Sequence, residues 1–197
     1  MRAIFENEND IKNYVIQAAT EPTNVKVTAD GKQRLNYRNL GIKIGVIGYV
    51  LAGDRILILE RSPTVNFNGQ WGTVSGYVDD LEIIRNSSQI CLDHLLEEFS
   101  EEIGWKISDS GVLKYCGTHA FIAPQCKIHF EIFSLFLRDE PPAIALNSEH
   151  TCYRWVDLVT IEKLRPILIT QFLECLERVA ATGCGLFPSP WLAAKLD

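Results

Sequence analysis

Apolar residues recur along this chain with two different periods, and the switch between them marks its elements. From Gly41 onward, Ile42-Lys-Ile-Gly-Val-Ile-Gly-Tyr-Val-Leu51 and Arg55-Ile-Leu-Ile-Leu-Glu60 are nearly continuous apolar runs of strand length. Ala52-Gly53-Asp54 between them is a hairpin signal, because a tight turn needs residues that tolerate left-handed backbone. Farther on, Leu92, Leu95, Leu96, Phe99 and Ile103 are spaced for one stripe of a helix. Asn86-Ser87-Ser88-Gln89 offers an N-cap and a capping-box glutamine, and Gly104 suits the position just past a helix. The pattern therefore predicts a helix over roughly Ser87 to Ile103. Val112 to Ala123 and Cys126 to Arg138 are β-rich stretches broken by Pro124-Gln125, a second hairpin. Within it, Lys127, His129 and Glu131 alternate with Ile128, Phe130 and Ile132, so a polar face opposes a buried one.

The ends of the chain carry weaker patterns. Glu8 to Ala19 reads as a short helix and Pro22 to Tyr37 as a polar connection with an Asp30-Gly31 turn. Tyr153 to Val156 reads as a strand, followed by a helix from about Ile161, an amphipathic helix over Ile167 to Ala180 and a tail from Gly183 to Asp197. The expected organisation is an N-terminal helical extension (1–40), a main domain (41–165) and a C-terminal helix with tail (166–197).

The chemistry concentrates between two glycines. Gly76-Tyr-Val-Asp-Asp-Leu-Glu82 is followed by Glu97-Glu-Phe-Ser-Glu-Glu-Ile-Gly104-Trp105. On a helix Glu98, Glu101 and Glu102 share a face, and like charges at those spacings destabilise it unless something neutralises them. An acidic helix run is most often a solvated face. A hard divalent cation is the alternative: Mg²⁺ takes oxygen ligands and is commonly held by one or two carboxylates together with substrate phosphates.

Taken together, Gly76, Glu82, Glu98, Glu101, Glu102 and Gly104 resemble the Nudix box, whose pattern is Gly, five residues, Glu, seven residues, then Arg-Glu-aliphatic-x-Glu-Glu-x-Gly-aliphatic. Asn66-Phe-Asn-Gly-Gln-Trp71-Gly-Thr-Val-Ser-Gly76 leads into the box as Trp-Gly-x-Pro-Gly-Gly does in that family, with Val74-Ser75 where Pro-Gly is common. Glu149-His150 and Arg154-Trp155-Val156 resemble the last core strand, extending the likeness over about Gly41 to Leu164. The resemblance implies an α/β fold, an α/β/α sandwich with a mixed sheet and a loop-helix-loop metal cradle. It implies Mg²⁺-dependent hydrolysis, with Mn²⁺ an alternative, of a nucleoside diphosphate linked to another moiety. Metal ligands would be Glu82, Glu98, Glu101 and Glu102; catalysis would fall to Glu98, Glu101 and Glu149, with Glu149 favoured as base; Arg61, Gly76 and Glu131 would meet the substrate.

Two departures from the family pattern are plain. Fourteen residues, Ile83 to Leu96, separate Glu82 from Glu97 where the family has seven, and Glu97 stands where the family has arginine. The excess is expected in an extended loop or irregular turn around Arg85-Asn86-Ser87-Ser88 that keeps Glu82 beside Glu98, and the replacement cation is expected to be Arg85 first, or a lysine from elsewhere. A second reading stays beside the enzyme: a Nudix-fold nucleotide-binding or regulatory domain with impaired hydrolysis.

Composition narrows the partners. With 197 residues, 47% hydrophobic, the chain can bury a substantial core, and its net charge of −6 argues against nucleic acid or an anionic membrane as partner. The charged start and the absence of a long apolar run imply a cytoplasmic protein, and self-association into a homodimer is compatible with the sequence. Six cysteines without metal-type spacing read as reduced, buried small hydrophobes. His94, His119 and His150 read as surface or satisfied polar residues.

Overall fold

A computed structural model describes residues 4–107, 113–123, 126–138 and 140–182. Helix α1 (Glu8–Ala18) starts at Asn7, whose side chain accepts the Asp10 N–H, and its buried face carries Ile11 and Val15. The stretch expected as a mere connection is a hairpin, β1 (Val25–Val27) and β2 (Gln33–Leu35). Its turn closes through Gly31, left-handed at φ 83°, whose N–H donates to the Thr28 carbonyl at 2.9 Å. Three-residue strands are too short to show a period.

The long strand β3 (Ile42–Ala52) organises the sheet. It pairs in parallel with β8 (Cys126–Leu137) along its whole length, and antiparallel with β6 (Val74–Tyr77) and β4 (Arg55–Arg61). Strand β4 also pairs with β5 (Trp71–Gly72) and β9 (His150–Val156), and β7 (Leu113–Ala123) lies outside β8. Strand β9 begins three residues earlier than expected, because a bulge after Glu60 lets Arg61 pair with His150.

Helices α2 (Leu81–Asn86) and α3 (Ile90–Ile103) join α1 on one face of the sheet, where Ile84, Leu95, Phe99 and Ile103 pack with Ile44, Val46, Val50 and Leu57. On the other face α4 (Leu158–Leu164) and α5 (Phe172–Ala181) bring Ile161, Phe172, Leu176 and Val179 against Ile47, Tyr49, Ile56 and Ile58. This is the expected α/β/α sandwich around a mixed sheet, and each large apolar side chain buried in it contributes about 1.5–3 kcal/mol. Leu35 and Tyr37 belong to the first core, so the residues before β3 pack into the same body.

Gly48 sets how closely α3 approaches. A Cβ there would lie 2.9 Å from both Leu95 Cδ1 and the Phe99 ring, so the helix sits directly on β3. Helix α3 begins at Ile90 rather than Ser87, since the Ser87 side chain accepts the Gln89 N–H and interrupts the helical path. Gln89 gives it no side-chain cap; Glu8 of α1 reaches across and accepts the Cys91 N–H at 2.9 Å. The final helix starts at Phe172, later than its apolar pattern suggests, because Pro166 holds residues 165–167 in a short 3₁₀ turn. The five described cysteines are free thiols. Pro124-Gln125 and the tail after Thr182 lie outside the described residues. No helix among the described residues is long and apolar enough to cross a membrane.

Candidate functional site

Strand β6 ends against α3, and the contact is built on a glycine. A Cβ placed on Gly76 would fall inside the carboxylate of Glu98 and 2.8 Å from its Cγ. Only a residue without a side chain lets Glu98 lie across the strand. One turn on, Glu102 is 2% exposed and its Oε2 accepts the Ser75 N–H at 3.2 Å. The helical spacing thus delivers two carboxylates onto the end of β6, as the shared face predicted.

Both carboxylates are electrostatically unsettled. Burial pushes Glu102 up to about 8, with the charges of Glu149 and Glu101 adding to it and the Ser75 N–H and Arg61 opposing. Glu98 is driven well above the usual carboxylate range, first by burial and then by Glu102, Glu101, Asp79 and Glu149. The charges acting most on Glu98 are all of its own sign. Arg61, at the end of β4, sets Nη1 3.1 Å from Glu149 Oε2 and 3.8 Å from Glu102 Oε1. Glu149 is held in the loop before β9, where its N–H donates to Asn147 Oδ1 and its carbonyl accepts the Ser62 N–H. Glu101 is half exposed, 3.5 Å from Arg34 Nη2.

No protein-family model matches the sequence, and neither does any curated protein. Solved structures do match. The MutT protein of Methanosarcina mazei Go1 superposes with TM-score 0.56 at 22% identity, over 73% of this chain and 96% of its own. The NUDIX domain of Shewanella oneidensis NrtR, solved with ADP ribose, gives TM-score 0.56 at 14% identity over 71% and 86%. A bifunctional NMN adenylyltransferase/ADP ribose pyrophosphatase of Francisella tularensis, solved with AMP and a Mn ion, gives 0.57 at 14% over 86% of this chain and 46% of its own. This chain has the Nudix fold.

Within that fold the two departures from the Nudix box have physical answers. The cations beside Glu97 are Lys32, which hydrogen-bonds its carboxylate, and Arg34, whose Nη2 lies 3.6 Å from it. Lys32 also reaches Asp80 at 3.1 Å, and Arg34 Nη1 donates to Asp79 at 3.0 Å. The Glu97 hydrogen bond lifts the Lys32 ammonium to about 12. Arg85 faces Gln33 instead, at 3.4 Å. A lysine from elsewhere was an expected alternative to Arg85, but neither Lys32 nor Arg34 was singled out; the charged Lys32-Gln-Arg34 alternation beside the Asp30-Gly31 turn was the signal available.

The excess after Glu82 is taken up by the remainder of helix α2 and the break at Ser87–Gln89 rather than by an extended loop. Asp80 caps α2 by accepting the Glu82 and Ile83 N–H groups, and its own N–H donates to His94 Nε2 at 3.0 Å. His94, 1% exposed, also bonds the Ile90 carbonyl through Nδ1 and joins α2 to α3. Glu82 consequently lines a cleft with Asp30, Lys32, Asp80 and Arg85, while the cluster at Gly76 is made by α3 and the end of β6. The Glu131 face also differs from expectation. His129 is 0% and Glu131 7% exposed, paired at 2.8 Å under the N-terminal segment, where the Phe5 ring meets the His129 ring edge-on. The polar face of β8 is therefore covered at His129 and Glu131, while Lys127 on the same face is exposed.

Among the described residues no three Asp, Glu, His or Cys side chains gather closely enough to hold a metal ion by themselves. The donor set nevertheless suits a hard cation. Two carboxylates brought onto the end of β6, both raised by burial and Glu98 further by the charge of Glu102, could supply the one or two oxygen ligands Mg²⁺ needs when phosphates and water complete its shell.

Proposed function

We propose that this protein is a Nudix-type pyrophosphohydrolase that cleaves the diphosphate bond of a nucleoside diphosphate linked to another moiety, with Mg²⁺ or Mn²⁺ as cofactor. The observation that carries the reading is the Glu98 carboxylate lying across Gly76 beside the buried Glu102. Glu98 and Glu102 would hold the cation, with Glu101 at the open edge of the pair. A divalent cation there supplies Lewis acidity to a phosphoryl oxygen and offsets charge that develops in the transition state.

The protein's own groups divide the remaining tasks. Arg61, flanked by Glu102 and Glu149, presents a guanidinium to phosphate oxygens, which its fork of donors matches. Glu149 is half exposed, so its carboxylate takes a proton from the attacking water as the new P–O bond forms and the bridging P–O bond breaks. Gly76 keeps the Glu98 carboxylate where the cation is needed. The Shewanella domain's ADP ribose and the Francisella protein's AMP and Mn support a nucleotide derivative as the ligand class here.

The test is a panel of nucleoside diphosphate derivatives assayed with Mg²⁺ and Mn²⁺ for phosphate-containing products. Cleavage is expected, and Glu98→Gln should lower turnover by about 10² or more, the usual consequence of losing one such electrostatic element. A folded Glu98→Gln, Glu101→Gln double variant with unchanged turnover refutes the proposal.

A further inference from the structure

Between β4 and β5 the chain makes a loop, residues 62–70, whose ends are fastened to one residue. The Arg61 N–H donates to the Gln70 carbonyl at 2.9 Å, and the Gly69 N–H donates to the Arg61 carbonyl at 3.0 Å. At its tip, Phe67 has φ 63°, the one non-glycine among the described residues with positive φ. For an aromatic residue that backbone is an outlier, because its Cβ crowds the following carbonyl. Asn66, Asn68 and Gly69 beside it are all types that tolerate the conformation better.

The ring gains nothing from the fold in exchange. Phe67 is 54% exposed, belongs to neither core and enters no ring pair among the described residues. A large apolar side chain held out to solvent on a strained backbone is a feature that points outward, to a ligand. Its position says which one. The carbonyl just before it, that of Asn66, accepts Arg61 Nε at 3.4 Å, and Arg61 Nη1 is the group that reaches Glu149 and Glu102. Phe67 is thus tethered one residue from the guanidinium assigned to the phosphates.

We propose that Phe67 is the stacking platform for the nucleobase of the substrate. This rests on the hydrolase reading for the position of the phosphates. Every base offers a π face to an aromatic ring, so the platform selects nucleoside-bearing diphosphates over base-free ones rather than one base over another.

The experiment compares wild type, Phe67→Asn and Phe67→Tyr on a nucleoside diphosphate derivative and on a sugar-linked pyrophosphate without a base. The ratio of kcat/KM for the two substrates should fall about tenfold in Phe67→Asn and recover in Phe67→Tyr. Melting should move the other way, with Phe67→Asn about 2 °C more stable because asparagine tolerates left-handed backbone. A ratio that stays constant across the three proteins overturns the proposal. If no pyrophosphate is cleaved, the hydrolase reading fails separately, and calorimetric titration with ADP decides for Phe67. Affinity lost in Phe67→Asn and kept in Phe67→Tyr supports it; equal affinity in all three, or no ADP binding by wild type, overturns it.

Discussion

Adding one methyl group at Gly76 separates site geometry from fold stability. Gly76 lies in β6 outside the left-handed region, so alanine adopts its backbone freely, and the exchange of Gly for Ala in a strand favours folding by about 0.5–1 kcal/mol. The obstacle is the Glu98 side chain: the new Cβ would sit in its carboxylate and 2.8 Å from its Cγ. That carboxylate ends a flexible side chain and is repelled where it lies by Glu102, Glu101, Asp79 and Glu149, so turning it toward water costs little. The two effects roughly cancel, and Gly76→Ala should change unfolding free energy by less than about 1 kcal/mol. Catalysis has no such compensation. A displaced Glu98 no longer holds the cation, and turnover should drop by about 10², which is about 2.7 kcal/mol of transition-state stabilisation. Urea unfolding and steady-state hydrolysis on one preparation provide both numbers. Full activity in a folded Gly76→Ala protein refutes the reasoning, as does a loss of several kcal/mol of stability.

Two further predictions follow from the charges. Glu102 has its folded value raised from 4.5 to about 8 by burial first, so its contribution favours folding below its unfolded value and is lost as pH rises through about 8; with a chelator present, melting temperature should fall between about pH 5 and pH 8, Glu102→Gln should flatten the fall, and a rise across that window contradicts the assignment. Replacing Glu97 by the family arginine should harm rather than help, because Glu97→Arg meets Lys32 and Arg34; a loss of roughly 1 kcal/mol in urea unfolding is expected, and a more stable, more active variant refutes the pairing.

The glutamate face was legible in the sequence because a helix converts spacing into geometry directly. Glu98 and Glu102 are four apart and therefore stacked, and Gly76 was visible as a glycine in register with them. The cations were not legible. Lys32 and Glu97 lie 65 residues apart, and nothing local signals that the turn of a short hairpin will bring them together. The alternation at His129 and Glu131 announced two faces of β8 correctly but not which would be covered, since that depends on where α1 docks. The one local clue was α1 itself, whose Ile11 and Val15 needed a surface to bury against. The strain at Phe67 is a backbone property that its residue type argues against.

Lys32 bridges Glu97 to Asp80, the residue that caps the additional helix α2. Scored column by column, the box shows two defects, a missing arginine and a surplus segment. In three dimensions both lie beside the same cation. Asp80, the residue that caps α2, moors Lys32, and the moored lysine neutralises the residue that took the arginine's place. Restoring the arginine alone would crowd three cations together. The box and the hairpin upstream of it are therefore joined by one lysine, which answers a departure inside the box from outside it.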